Sequence, residues 1–220
     1  MRSKYDIILF DLDGTLSQSA DGIRQTIEYT LKKMNKPVPD LSQYSLYIGP
    51  PLRHTFLNLC SLNEDESDIA VEIYRKRYSE VGKNLNRLFD GTDSVLAALK
   101  ESGAKLAVTS SKYEPFVREI VSALNIEKYF DAVCGSNLDE TRKEKEDLIP
   151  YSVSCLNGSM TDRIAMVGDT TYDVIGAKLT NTDFIGVSYG YGNIYDMKKL
   201  GADKFADSPA QLLNFLMTDD

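Results

Sequence analysis

Asp11 and Asp13 stand two residues apart in Phe10-Asp11-Leu12-Asp13-Gly14-Thr15-Leu16, directly after the apolar run Tyr5 to Phe10. Carboxylates at that spacing repel each other unless a cation lies between them or one carries a proton. Gly14 permits a tight turn that would break the strand. A strand end there presents a nucleophilic carboxylate, a second carboxylate and a metal site, the set that phosphoryl transfer uses. The plainer alternative is an Asp-Gly turn with two solvated carboxylates. Groups downstream weigh against it. Asp169 and Asp173 follow the apolar run Ile164 to Val167. Ser110 and Ser111 close the run Leu106 to Thr109, and Lys145 stands between the two regions.

These groups can meet only if strands deliver them to one edge. Tyr5 to Phe10 reads as a buried parallel strand. From about Phe89 onward, helix and strand alternate. Thr92–Glu101 carries Val95, Leu96 and Leu99 at helical spacing, with Gly103 as its C-terminal cap. Lys105–Thr109 reads as a strand, Glu114–Leu124 as a helix and Asp131–Cys134 as a short strand. Lys145–Leu156 reads as a helix in which Pro150 is an interruption. Strand, helix and strand follow at Ile164–Val167, Tyr172–Leu179 and Asp183–Val187, and Pro209–Met217 closes with a helix. Such alternation implies a parallel sheet with helices on both faces. Ligands of such sheets bind beyond the carboxyl ends of the strands. Asp11, Ser110 and Asp169 all fall at predicted carboxyl ends.

Residues 17 to 86 break the alternation. Ile23, Ile27, Leu31 and Met34 mark an amphipathic helix, ended by Pro37-Val38-Pro39. Pro51–Leu59 and Glu66–Glu80 read as further helices, and no strand is evident. Gly49-Pro50-Pro51-Leu52-Arg53 joins a rigid turn to a helix start. That would hold Arg53 in place to bind a substrate phosphate or carboxylate through its two-pronged guanidinium. A solvated surface arginine is the alternative.

The order of strand and acidic pair, strand and hydroxyl, lysine, then strand and acidic pair resembles the haloacid dehalogenase superfamily. The resemblance runs from Asp6 to about Ala206 and touches all four of that superfamily's motifs. It implies an α/β fold: a Rossmann-like parallel-sheet core at residues 1–16 and 87–220, with an inserted α-helical C1 cap at 17–86. It also implies roles. Asp11 would be the nucleophile and form an aspartyl-phosphate. Asp13 would protonate the leaving oxygen, then take a proton from the hydrolytic water, and its backbone carbonyl would ligate the metal. Asp11 and Asp169 would be direct ligands of Mg2+, and Asp173 would hold a metal-bound water or orient Lys145. Lys145 would neutralise Asp11 and the phosphoryl group, with Lys143 and Arg142 as competitors for that role. Ser110, or Ser111 beside it, would donate to a phosphoryl oxygen. An aspartate at position 13 fits phosphatases and phosphomutases, whereas the superfamily's dehalogenases lack an acid there.

Ile48 to Arg53, Gly135 to Asp139, and Ile185-Gly186-Val187 through Gly192 are similar to bacterial 5'-nucleotidase-like and phosphoglycolate phosphatase-like members. Gln18 departs from the acidic residue frequent there. The resemblance therefore implies a Mg2+-dependent phosphatase of a small phosphate monoester. A nucleoside 5'-monophosphate is the first expectation and 2-phosphoglycolate the second. A phosphomutase of the β-phosphoglucomutase type, or a catalytically silent binding protein on the same fold, are the rivals.

Bulk properties narrow the partners. The 220 residues suit one domain with a modest insertion, and apolar residues at 42% supply a core. A net charge of -8 argues against a nucleic-acid polymer as partner. It leaves room for a small phosphorylated metabolite met by a local cluster of cations. No apolar stretch is long enough for a membrane span. Met1 to Lys4 shows no secretory signal. Cys60, Cys134 and Cys155 are odd in number and widely spaced, which reads as three buried free thiols in a reducing cytoplasm. A monomer or weak homodimer is expected. Glu140 to Asp147 reads as a solvated turn and helix start, Lys145 excepted. Gly190 and Gly192 read as a turn beside the site, and His54 as an ordinary residue of the helical segment.

Overall fold

The computed structural model describes residues 2–138 and 141–218. Asp139 and Glu140, at the edges of two segments singled out above, lie outside the described residues. The strands are β1 (Ile7–Phe10), β2 (Ser17–Gln18), β3 (Arg87–Leu88), β4 (Lys105–Tyr113), β5 (Ala132–Ser136), β6 (Ile164–Gly168), β7 (Asp183–Val187) and β8 (Phe205–Ala206). Six of them form one sheet in the order β5-β4-β1-β6-β7-β8, paired in parallel throughout.

The helices are α1 (Ala20–Lys33), α2 (Leu52–His54), α3 (Glu64–Glu80), α4 (Thr92–Glu101), α5 (Glu114–Ala123), α6 (Lys145–Cys155), α7 (Thr171–Leu179), α8 (Ile194–Lys199) and α9 (Pro209–Leu216). The period-two alternation of side chains explains why β1 is apolar without a break. Ile7 and Leu9 join Ile149, Val153 and Ala177 of α6 and α7 on one face. Ile8 and Phe10 join Val95, Leu99, Val117 and Leu212 of α4, α5 and α9 on the other. All four β1 residues are buried. The sheet is thus the three-layer α/β arrangement that the alternation predicts.

Between β2 and β3 the structure holds helices and turns. α3 starts two residues before the predicted Glu66, because Asn63 closes a capping box with Glu66. The Asn63 side chain accepts from the Glu66 N–H at 2.9 Å, and the Glu66 carboxylate accepts from the Asn63 N–H at 3.3 Å. α2 runs on into a wider π-type turn over Thr55–Leu59.

Three expectations need correction. First, Ser17–Gln18 is a strand, paired antiparallel with Arg87–Leu88, inside a segment that read as strand-free. A pair of residues bonded to a partner about seventy positions away leaves no local periodicity to read. Second, α6 passes through Pro150 without interruption. One backbone bond is forfeited there, but Leu148, Ile149 and Val153 are buried against the sheet and hold the helix in place. Third, Cys155 is exposed while Cys60 and Cys134 are buried. Cys155 ends α6 on its outward face, while Val153 and Leu156 on either side of it are buried. Gly103 does close α4, with φ +85°. Among the described residues no helix is long and apolar enough to cross a membrane.

Candidate active site

Asp11 is the first residue beyond β1, and its N–H donates to the Val167 carbonyl at 2.9 Å. That bond fixes it against the end of β6, where Asp169 follows. Lys145, the first residue of α6, reaches Asp11 and, on the neighbouring helix, Asp173. Its ammonium donates to Asp11 Oδ1 at 2.7 Å and to the Thr109 carbonyl at 2.7 Å. It also lies 2.7 Å from Asp173 Oδ1 on α7. α6 and α7 approach this closely because residue 176 is glycine: a Cβ there would stand 2.3 Å from the Cβ of Lys145. Of the three cations the sequence offered, Lys145 is the one on Asp11. Arg142 instead donates to the Gly135 carbonyl at 2.9 Å and pairs with Glu114 at 3.1 Å.

Asp169 is fully buried and accepts from Thr15 Oγ1 at 3.2 Å and from the Tyr191 N–H at 2.7 Å. Gly14 makes room for it. At φ +86°, a Cβ on Gly14 would lie 2.2 Å from Asp169 Oδ2. Asp173 Oδ2 accepts from both the N–H and the hydroxyl of Thr170, at 3.0 and 2.7 Å. Its Oδ1 faces Lys145 as an ion pair without an aligned hydrogen bond.

Carboxylate oxygens of Asp11, Asp169 and Asp173 all lie within 4.8 Å of one another, and all three residues are buried. Burial pushes the Asp11 carboxyl up to about 6, opposed by Lys145 and reinforced by Asp173. Burial, then the charges of Asp11 and Asp173, push Asp169 up as well. For Lys145, burial works against the ammonium, but Asp11 and Asp173 outweigh it and its proton is held more tightly than usual. Three buried carboxylates against one lysine leave uncompensated negative charge. An all-oxygen donor set of this kind fits a hard divalent cation.

Asp13 sits on the next turn, with Oδ2 2.6 Å from the Lys112 ammonium. Its Oδ1 is buried and has no hydrogen-bond partner among the described residues. Ser110 is buried at the end of the regular part of β4, and its hydroxyl accepts from the Lys112 N–H at 3.3 Å. The pairing of β4 with β5 shifts register between Thr109 and Tyr113. Such irregularities re-aim side chains at strand ends. Asp11, Asp13, Ser110, Ser111 and Lys145 line a cleft of about 560 Å³ whose opposite wall is α3 and the turn before α2.

Arg53 lies on that opposite wall. Its guanidinium donates to Asp68 at 2.7 Å and pairs with Glu64, both on α3. The bonds to Asp68 and Glu64 make its guanidinium hold its proton more tightly than usual. Arg75, also lining the cleft, lies over the Tyr113 ring at 5.7 Å. Sequence reading missed Lys112, Thr15, Thr170 and Tyr191. Lys112 escaped because β4 was expected to end at Thr109, so the lysine read as loop. Thr170 adjoins Asp169 and Thr15 stands two residues after Asp13, and a hydroxyl at each place was the available signal. Tyr191 stands in the Gly190 to Gly192 turn and gave none, since its backbone makes the contact.

The family model described as haloacid dehalogenase-like hydrolase matches residues 8–187. A 5'-nucleotidase of Pseudomonas aeruginosa is 37% identical over 190 residues, covering 86% of each chain. The tyrosine-protein kinase PtkA of Mycobacterium tuberculosis is 37% identical over 186 residues, which cover 84% of this chain and 63% of that one. The crystal structure of a predicted phosphatase from Clostridium acetobutylicum superposes with a TM-score of 0.90 at 38% identity, over 96% of this chain and 97% of that chain.

Proposed function

Because the chain belongs to the haloacid dehalogenase-like hydrolase family, we propose that it is a Mg2+-dependent phosphatase of a small phosphate monoester, first of all a nucleoside 5'-monophosphate. The observation that carries the chemistry is Asp11, buried at a strand end with Lys145 2.7 Å from one oxygen and two further carboxylates alongside. Lys145 fixes Oδ1 and leaves Oδ2 for in-line attack on phosphorus. The Asp11–phosphoryl bond forms as the ester oxygen leaves. Asp13 gives that oxygen its proton from Oδ1, which has no other partner among the described residues. It then takes a proton from the water that cleaves the aspartyl-phosphate.

Asp11, Asp169 and the Asp13 carbonyl would hold the cation, which supplies charge neutralisation for the phosphoryl oxygens. Asp173 is committed to Thr170 and Lys145, which supports the reading that it orients Lys145. Ser110 and the Lys145 ammonium would take two phosphoryl oxygens. Such a constellation can act because phosphoryl transfer needs positioning and electrostatics more than covalent chemistry from the protein.

The nucleotide preference is supported by the 37% identity to the P. aeruginosa 5'-nucleotidase and by the tyrosines lining the cleft. 2-Phosphoglycolate is the second choice. The test is inorganic phosphate release with Mg2+ across nucleoside monophosphates, sugar phosphates and 2-phosphoglycolate. A nucleoside 5'-monophosphate should show the highest kcat/KM. Phosphate moved between sugar positions without release would assign the chain to the phosphomutase alternative. Label passing from ATP to a protein tyrosine, with no ester hydrolysis, would overturn the phosphatase reading in favour of the activity PtkA's name carries.

A further inference from the structure

Lys112 is a nearly buried cation that the mechanism above leaves without a task. Its side chain is 10% exposed, and its ammonium lies 2.6 Å from Asp13 Oδ2. The same ammonium donates to the Tyr78 hydroxyl at 3.0 Å. Tyr78 belongs to α3 and is fully buried. Its hydroxyl also accepts from Asn86 Nδ2 at 3.2 Å, and Asn86 Oδ1 accepts from Ser17 Oγ at 3.1 Å. Ser17 returns to the start, because its carbonyl accepts from the Gly14 N–H at 2.9 Å. The chain Asp13, Lys112, Tyr78, Asn86, Ser17 therefore closes on itself. It links the loop after β1, the tip of β4, helix α3 and the β2–β3 ribbon.

We propose that Lys112 is a positioning residue for Asp13, and that Tyr78 makes this positioning depend on where α3 sits. The inference rests on the reading of Asp13 as acid and base. Lys112 anchors Oδ2, so Oδ1 is the oxygen turned to the leaving group. Oδ2 accepts from the ammonium whether or not Oδ1 carries a proton, so one anchor serves both half-reactions. Tyr78 is the contact from the helical segment. When α3 is in place, the ammonium has two oxygens to span and is fixed between them. With α3 displaced it would have only Asp13, and the carboxyl could swing. The proton donor would then be aligned only when the cleft is covered, which keeps protonation in step with the exclusion of water.

The test compares kcat/KM, which covers steps through phosphoryl transfer and not the later hydrolysis common to both esters, on two substrates: 4-nitrophenyl phosphate, whose leaving group needs no proton, and the fastest alkyl ester of the panel above. The variants are Asp13→Asn, Lys112→Met, Tyr78→Phe and the Asp13→Asn/Lys112→Met double. Lys112→Met keeps the buried stem, and Tyr78→Phe keeps the ring and its packing. Lys112→Met should lower kcat/KM on the alkyl ester by roughly tenfold or more and on the nitrophenyl ester by less than about threefold. Tyr78→Phe should show the same selectivity with a smaller loss. In the Asp13→Asn background, Lys112→Met should cost nothing further. Equal losses on both substrates, or additivity in the double variant, would reduce Lys112 and Tyr78 to packing and overturn the inference. If Asp13→Asn is itself unselective, the acid assignment fails and takes the inference with it. If Asp13→Asn is selective and Lys112→Met is not, only the inference fails.

Discussion

The two walls of the cleft are built to different standards. On the sheet side Asp11, Asp169, Asp173 and Lys145 are buried, and Lys145 alone contacts three oxygens. On the helical side Arg53 is held by Glu64 and Asp68, whose side chains are 72% and 64% exposed. Ion pairs that open to solvent are screened and fix geometry weakly. Tyr74 and Tyr78 of α3 stack at 5.5 Å, and Arg75 leans over Tyr113. One wall is set before a substrate arrives; the other offers the partly exposed cations Arg53 and Arg75, which can adjust to it. On the function proposed above, chemistry belongs with the first and choice of substrate with the second.

The sharpest way to break this contrast is at Asp11. Asp11→Asn should lower phosphate release more than about a hundredfold on every ester, because the amide is a poor nucleophile. Retention of a hundredth of the activity in protein free of contaminating phosphatase would remove the covalent step. The same variant reports on stability. In metal-free protein, the Asp11 carboxyl is raised from 3.8 in the unfolded chain to about 6 in the folded one. The folded state then binds the extra proton, so this group's contribution to stability is present at low pH and lost as pH rises through that window. Asp11→Asn removes the term. Its Tm in chelator should therefore gain on wild type between pH 5 and pH 8. A Tm difference that stays flat with pH would contradict the buried-charge description.

Metal addition comes next in size. Mg2+ should raise the Tm by several degrees at pH 8 and by less at pH 5, where protons compete for the carboxylates. Activity should disappear in chelator and fall when Ca2+ replaces Mg2+, since Ca2+ takes more ligands at longer distances. Full activity in excess chelator would take the cation out of the mechanism.

The smallest effects should lie on the helical wall. Arg75→Ala should lower kcat/KM on the best substrate by roughly tenfold and on 4-nitrophenyl phosphate by much less, as a contact beyond the phosphate would. Arg53→Ala should cost less, about threefold at most, because Glu64 and Asp68 already engage its donors. The reverse ranking would show that Arg53 exchanges its acidic partners for the substrate.

What was legible in the sequence follows the same division. β1 and β6 are buried on both faces, so Ile7–Phe10 and Ile164–Gly168 carry unbroken apolar runs that announce themselves. Asp11 and Asp169 come directly after those runs and Asp13 two residues after Asp11, so their meeting place could be read from order alone. Lys145 needed the family resemblance, because nothing local separates it from Lys143 or Arg142. Lys112 was hidden by a strand longer than its apolar part: β4 continues through Ser110, Ser111 and Lys112 to Tyr113. Phe205–Ala206 and Ile194–Lys199 went unread because two strand residues and six helical ones carry too little periodicity. The partners of Arg53 were out of reach as well. They lie on α3, eleven and fifteen residues on, and a pairing between two helices leaves no spacing rule to find.

The place of β1 in the sheet also sets a timetable for synthesis. Ile7 is registered with Lys105 on one side and Ile164 on the other, so its partners are translated about 100 and 160 residues later. At about 5–20 residues per second, the most apolar strand of the molecule waits roughly 8–30 seconds for its second neighbour. During that interval the helices between β2 and β3 can form from local contacts, while Ile7–Phe10 stays available to chaperones or to other nascent chains. The strand that leads into Asp11 is thus among the first segments made and among the last to be enclosed.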